Sequence, residues 1–199
     1  MDIADKNLPI GQTEAARRER EQFEVRRRAF VLETRKIALS ILVWGPNPNS
    51  QIAPLVAKKR TEIRDKLLEL GHNAMFSEEI SVLPEESYLS EKDRELAQAR
   101  AAHLIVILVE GAPGAQAEAH DFCDDPELRP KIYVMFPLKY KEGYSARGAI
   151  RDLDEGYGGV FWYEERDLEQ CNVLTRAIRR AEVRRNDEYC RRRGSHEQP

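Results

Sequence analysis

The chain is poor in cysteine, and the three it has, Cys123, Cys171 and Cys190, are widely spaced and odd in number with no CxxC. That excludes a disulfide framework or a zinc module and fits a reducing, cytoplasmic setting. His120 and Cys123 stand three apart on one expected helix, but no second pair completes a tetrahedral site, so no metal is expected. No apolar run approaches the roughly 20 residues of a membrane span. The opening residues, MDIADKNLPIGQTEAARRER, also lack the apolar centre of a signal peptide, so no membrane association is expected. An excess of positive charge is missing too: 32 Lys and Arg face 35 Asp and Glu, a net charge of −3. Nucleic acid therefore has no global electrostatic claim on the chain. Absent as well are a GxxxxGK loop, a GxGxxG turn and a GxSxG elbow, the signatures of P-loop phosphoryl transfer, a standard dinucleotide fold and an esterase.

What is present is a rhythm of short apolar runs alternating with helical segments. The run Leu104 to Val109 is β-branched and continuous, as a strand buried on both faces would be. Glu110-Gly111-Ala112-Pro113-Gly114 then breaks the chain, and an alanine-rich helix carrying Glu118 follows. Further strands are expected over 37–44, 72–76, 131–136 and 160–163. Helices are expected over 14–36, 53–70 with Gly71 as its cap, 90–101 capped by Ser90 and Asp93, Ser145 to about Asp154, and 165–189. Five strands alternating with helices give a parallel sheet covered on both faces. Residues 1–36 form a polar arm and a charged helix that Thr13 could cap, 37–190 form the α/β domain, and 191–199 read as a disordered tail.

Ligands of open α/β sheets bind outside the carboxyl ends of the strands, and the β-turn-α junction at 109–115 is the expected site. Side chains in a helix lean toward its N-terminus, so Glu118, one turn inside, should point at the mouth of the junction. Ala115, Ala119 and Phe122 share its face, and the small alanines let that face approach the sheet. The helix dipole favours an ionised Glu118 and desolvation opposes it. A confined carboxylate beside anion-binding N–H groups suits chemistry at a sugar's anomeric carbon, as nucleophile or as stabiliser of an oxocarbenium-like transition state. Glu110 could orient a ribose hydroxyl. Trp44, Phe76, Phe136 with Tyr140, and Trp162 with Tyr163 fall near the same edge, where one could stack on a base. Lys139 and Lys141 could contact phosphate. The loop 77–88 adds Glu78, Glu79, Ser81, Glu85 and Glu86, and 45–50 (GPNPNS) is a candidate binding loop.

The stretch PGAQAEAHDF after an apolar strand resembles the glutamate-bearing helix of the nucleoside deoxyribosyltransferase family and its relatives, the TIR-like NAD-cleaving domains. Trp44-Gly45-Pro46 is similar to the apolar strand and Gly-Pro that open that family's nucleotide pocket, and AQARAAHLIVIL (97–108) resembles the segment before its catalytic loop. The resemblance covers 37–172 in layout. It implies a flavodoxin-like three-layer fold with an extra N-terminal helix, and Glu118 as the catalytic residue. It matches Gly45 and Pro46 to the nucleotide-loop dipeptide and Ala115 and Ala119 to the small positions around the glutamate; with the residues of the junction itself, substrate contacts are expected from Trp44, Gly45, Pro46, Glu110, Gly111, Gly114 and Ala115. The family's loop aspartate is replaced by Glu110-Gly111-Ala112-Pro113, and the serine and tryptophan of the TIR pattern are absent. The expected function is cleavage or transfer of the N-glycosidic bond of a nucleoside, nucleotide or NAD, with NAD one of the candidate substrates and no cofactor. By analogy with TIR-like relatives it extends to an effector in nucleotide-based defence. The alternative is a non-catalytic nucleotide-sensing module. Either form could assemble with itself or a partner through helices 14–36 and 165–189.

Overall fold

The structure, a computed structural model, describes residues 14–143 and 146–194. The polar arm, the Thr13 and Ser145 caps, Tyr144 and residues 195–199 lie outside the described residues. The elements run α1 (Glu14–Arg35), β1 (Ser40–Trp44), α2 (Pro54–Glu69), β2 (Asn73–Met75), α3 (Glu91–Ala101), β3 (Leu104–Leu108), α4 (Pro113–Cys123), β4 (Ile132–Pro137), α5 (Ala149–Tyr157), β5 (Val160–Tyr163), α6 (Glu165–Glu169) and α7 (Asn172–Gly194). All strand pairs are parallel, in the order β2-β1-β3-β4-β5. This is the flavodoxin-like order, whose direction of winding reverses between β1 and β3.

Strand alternation sends Ile41, Val43, Val106, Leu108 and Met135 to one face, against Val56, Ile63 and Leu67 of α2 and Val173, Ala177 and Ala181 of α7. Leu42, Trp44, Ile105, Ile107, Val134 and Phe136 go to the other, against Ala99 of α3, Ala115, Ala119 and Phe122 of α4, and Ile150 and Leu153 of α5. Continuous apolar strands are what burial on both faces requires, because every residue meets a helix layer. The extra helix α1 buries only Thr34 and lies on α7, with the Phe30 ring edge-on to Tyr189 at 5.1 Å between centroids. Among the described residues no helix is long and apolar enough to cross a membrane.

The first strand begins at Ser40 and not at Ile37, α5 runs on to Tyr157, and three further boundaries depart from the sequence reading. The expected helix 165–189 is two helices, α6 and α7, because Cys171 takes a left-handed φ of 61° and breaks the ladder. The Asn172 amide then donates to Asp167 across the break. Residues 191–194 of the expected tail are helical, since Arg191 and Arg192 both reach back to Glu188 one turn earlier. The helix expected from Ser145 starts at Ala149, after Gly148 at φ 62°.

His72 closes the amino edge of the sheet. Its ring is buried, Nδ1 accepts from the Leu39 N–H at 3.3 Å, and Arg185 lies 2.8 Å from Nε2. Burial, then the Arg185 charge, lowers its pKa to about 4 from 6.5. The unfolded chain takes up a proton in that interval and the folded chain does not, so this contribution is complete above pH 6.5 and is lost as pH falls toward 4. Urea unfolding should record a loss of about 2 kcal/mol across the window, absent from His72→Gln.

Candidate functional site

The reversal of strand order between β1 and β3 opens a crevice at their carboxyl ends, and the chain lines it as a cleft of about 290 Å³. Trp44, Gly45 and Pro46 enter from the end of β1, and Gly111, Gly114, Ala115 and Glu118 from the β3–α4 junction. Seven of the eight expected residues thus converge. Pro113 starts α4 at its first position, where a missing N–H costs nothing, and this sets Glu118 one turn in. Buried Ala115, Ala119 and Phe122 hold the helix close to the sheet, and Trp44 packs on Phe122 with ring centroids 5.3 Å apart.

Glu118 is half-buried and makes no hydrogen bond among the described residues. Burial raises its pKa to about 7, Glu95 adds to this, Glu91 and Glu78 contribute less, and Arg60 opposes it. Desolvation and the neighbouring carboxylates therefore outweigh the Arg60 charge. Oε1 stays over the helix start, 3.8 Å from where a methyl group on Gly114 would stand.

Glu110 is the expected residue that does not join this cleft. Its carboxylate lies on the other side of the β3–α4 loop, bonded to Lys139 and to the Tyr163 hydroxyl, which donates at 3.2 Å. Lys139 is correspondingly an ion-pair partner of Glu110. Of the aromatic candidates, Phe76, Phe136 and Tyr163 are spent in packing: Arg60 and Arg64 lie over the Phe76 ring at 4.1 and 4.3 Å, and Phe136 is sealed under Trp162. Trp44 is buried as well yet lines the cleft, and Tyr140 stands exposed. Cys123 is buried, its thiol pushed up to about 12 by desolvation. Among the described residues no group of three or more His, Cys, Asp and Glu side chains is placed to hold a metal.

Sequence reasoning missed Arg60. It is 1% exposed on the inner face of α2, donates to the carbonyls of Val43 at 3.0 Å and Pro46 at 3.1 Å, and forks onto Glu78 at 2.8 and 2.7 Å. Glu78, held below the usual carboxylate range by those hydrogen bonds against a desolvation cost, lines the cleft with Arg60, Asn47 and Ser77. The signal was available: Arg60 falls in the series Val56, Arg60, Ile63, Leu67, which is the buried stripe of α2. An arginine in such a stripe needs carbonyl and carboxylate partners at the strand end. Of the other acidic loop residues, Glu79 pairs with Arg64 and accepts from the Phe76 N–H, and Glu86 accepts from the Leu83 N–H.

Gly45 turns the chain out of β1 at φ 151°, and a methyl group there would meet the Leu108 carbonyl at 2.9 Å and Arg60 Cδ at 3.4 Å. Gly45→Ala should lower unfolding stability by about 1–3 kcal/mol, read from the urea midpoint, and push β1 away from β3 at the mouth of the cleft. Searches with protein-family models and against curated proteins find no match to the chain.

Proposed function

We propose that the cleft between β1 and β3 binds the sugar of a nucleoside, nucleotide or NAD, and that Glu118 acts at its anomeric carbon to cleave or transfer the N-glycosidic bond. The observation that carries this reading is a single unbonded carboxylate, held one turn inside α4 at the strand-order reversal, with a pKa raised to about 7. Such a group is ionised in part at neutral pH and is more basic than a solvated glutamate. A carboxylate oxygen attacks C1′ as the C1′–N bond breaks and its electron pair leaves with the base. Water or a second base then attacks C1′ and releases the carboxylate, the proton that the incoming group sheds passing to the departed base or to solvent. Arg60 touches no reacting atom in this scheme. It ties the ends of β1 and the Glu78 loop together, and so shapes the wall opposite Glu118.

A second reading, a nucleotide sensor without turnover, is favoured by one observation. The other carboxylate of the cleft, Glu78, is tied to Arg60 and is not available as a partner acid or base. In either reading α1 offers a surface for a second copy or partner, with Phe23, Val25 and Leu32 exposed along it.

The test is chromatography of NAD, nucleoside monophosphates and deoxynucleosides after incubation with the wild-type chain and Glu118→Gln. Released base or nicotinamide that disappears in the variant supports the enzyme. Saturable nucleotide binding with no released base in any mixture supports the sensor.

A further inference from the structure

A second, larger cleft of about 840 Å³ lies on the far side of the β3–α4 loop, and Gly111 lines both. It too stands at the carboxyl edge, between the ends of β3, β4 and β5 and the start of α2. Its walls carry large apolar side chains left in solvent: Ile52 is 86% exposed, and Leu55, Leu138 and Tyr140 are about 40% exposed. Four such groups on one concavity of this size are the composition of a small-ligand pocket, not of an ordinary surface.

The polar group at its centre is Glu110. Lys139 bonds Oε1 and the Tyr163 hydroxyl bonds Oε2, so each carboxylate oxygen is oriented and each keeps one lone pair. Tyr163 is 1% exposed, and burial, reinforced by the Glu110 charge, holds its phenol in the protonated, donating form. The Glu110 side chain itself remains 25% exposed. Two adjacent acceptor positions on a fixed carboxylate match two adjacent O–H donors, which is a vicinal diol. Beside them Tyr140, held edge-on to Phe136 at 6.5 Å with the Lys139 ammonium 5.1 Å from its ring centre, and Leu138 offer a ring and an aliphatic side chain to a planar base. Glu164, paired with Arg166, and Glu165 complete the rim, so that with the Glu110–Lys139 pair the lining keeps one negative charge in excess, which disfavours a polyphosphate.

We infer that this second cleft is a subsite for an uncharged ribonucleoside unit, its 2′,3′-diol donating to Glu110 and its base lying on Tyr140 and Leu138. The inference rests on the nucleoside chemistry proposed above for its choice of ligand.

The test is calorimetric titration of the full chain with adenosine, 2′-deoxyadenosine and ADP. Adenosine should bind about tenfold more tightly than 2′-deoxyadenosine, the loss expected for one hydrogen bond to a charged acceptor. That preference should vanish in Glu110→Gln and persist in Gly114→Leu, whose side chain fills the Glu118 cleft from an exposed position. Tyr140→Ala, at a residue 41% exposed, should weaken both nucleosides about tenfold and serves if Glu110→Gln does not fold. Equal binding of the two nucleosides by the wild type, or a preference lost in Gly114→Leu and kept in Glu110→Gln, overturns the inference. So does ADP binding more tightly than adenosine. Diol-dependent binding without any base release would leave this subsite standing and remove the glycosidic function. Base release without a diol effect would do the reverse.

Discussion

Glu118→Gln is expected to lower the rate of base release by about a thousandfold or more, while leaving nucleoside affinity within a few-fold of wild type. Glutamine keeps the volume and the helix but cannot attack C1′ or carry the negative charge that an oxocarbenium-like transition state needs. The pH profile gives the same residue a second signature. Because burial raises the Glu118 pKa to about 7, wild-type turnover should climb with pH through that value, not through the usual carboxylate range. Stability runs the opposite way. Between the unfolded value of 4.5 and the folded value of about 7, the native chain holds a proton that the unfolded chain has released, so folding weakens as pH rises across that interval. With allowance for solvent screening of a half-exposed group, Glu118→Gln should be more stable than wild type by about 1 kcal/mol above pH 7 and equal to it below pH 4.5. Paired rate and urea-unfolding profiles would show a group whose chemistry is maintained at the expense of stability, the pattern of a functional carboxylate.

The largest effect on folding should come from Arg60→Met. The methionine fills the stripe between Val56 and Ile63, but it leaves the Val43 and Pro46 carbonyls and the Glu78 carboxylate without the guanidinium that bonds all three. The Glu78 side chain is 45% exposed and can be resolvated once unpaired, so the larger loss falls on the Val43 and Pro46 carbonyls, each left without its donor at about 1–3 kcal/mol. Arg60→Met with Glu78→Met should recover part of that loss, since the unpaired carboxylate is then gone, and urea midpoints of the single and double variants measure the difference. Because the same guanidinium ties the end of β1 to the loop that carries Glu78, the single variant should also loosen the wall facing Glu118. Arg60→Lys keeps the charge but not the fork, and it should fall between the two.

Much of the fold was legible because the chain writes its strands as unbroken apolar runs. Leu104 to Leu108 and Val160 to Tyr163 can be read directly, and the breakers at Gly45-Pro46 and Gly111 to Gly114 mark where the sheet must end. What escaped were features set by single dihedrals or by distant side chains. The left-handed Cys171 that divides α6 from α7 has no composition signal, and the helical continuation through Arg191 to Arg193 depends on pairs with Glu188 inside a run that reads as a charged tail.

The candidate site divides in the same way. Residue order alone placed Glu118 one turn into a helix after a buried strand, with Gly45 and Pro46 at another strand end, because strand, turn and helix periods are local and leave their mark on the sequence. Strand order, which brings β1 beside β3 and so joins those pieces into one cleft, is a property of the assembled sheet. Tertiary packing also sent Glu110 to the opposite side of its own loop, where Lys139 and Tyr163 hold it, and drew Arg60 under the β1 turn. Both outcomes hang on hydrogen bonds to partners 14 to 53 residues away in the chain, which no local pattern records.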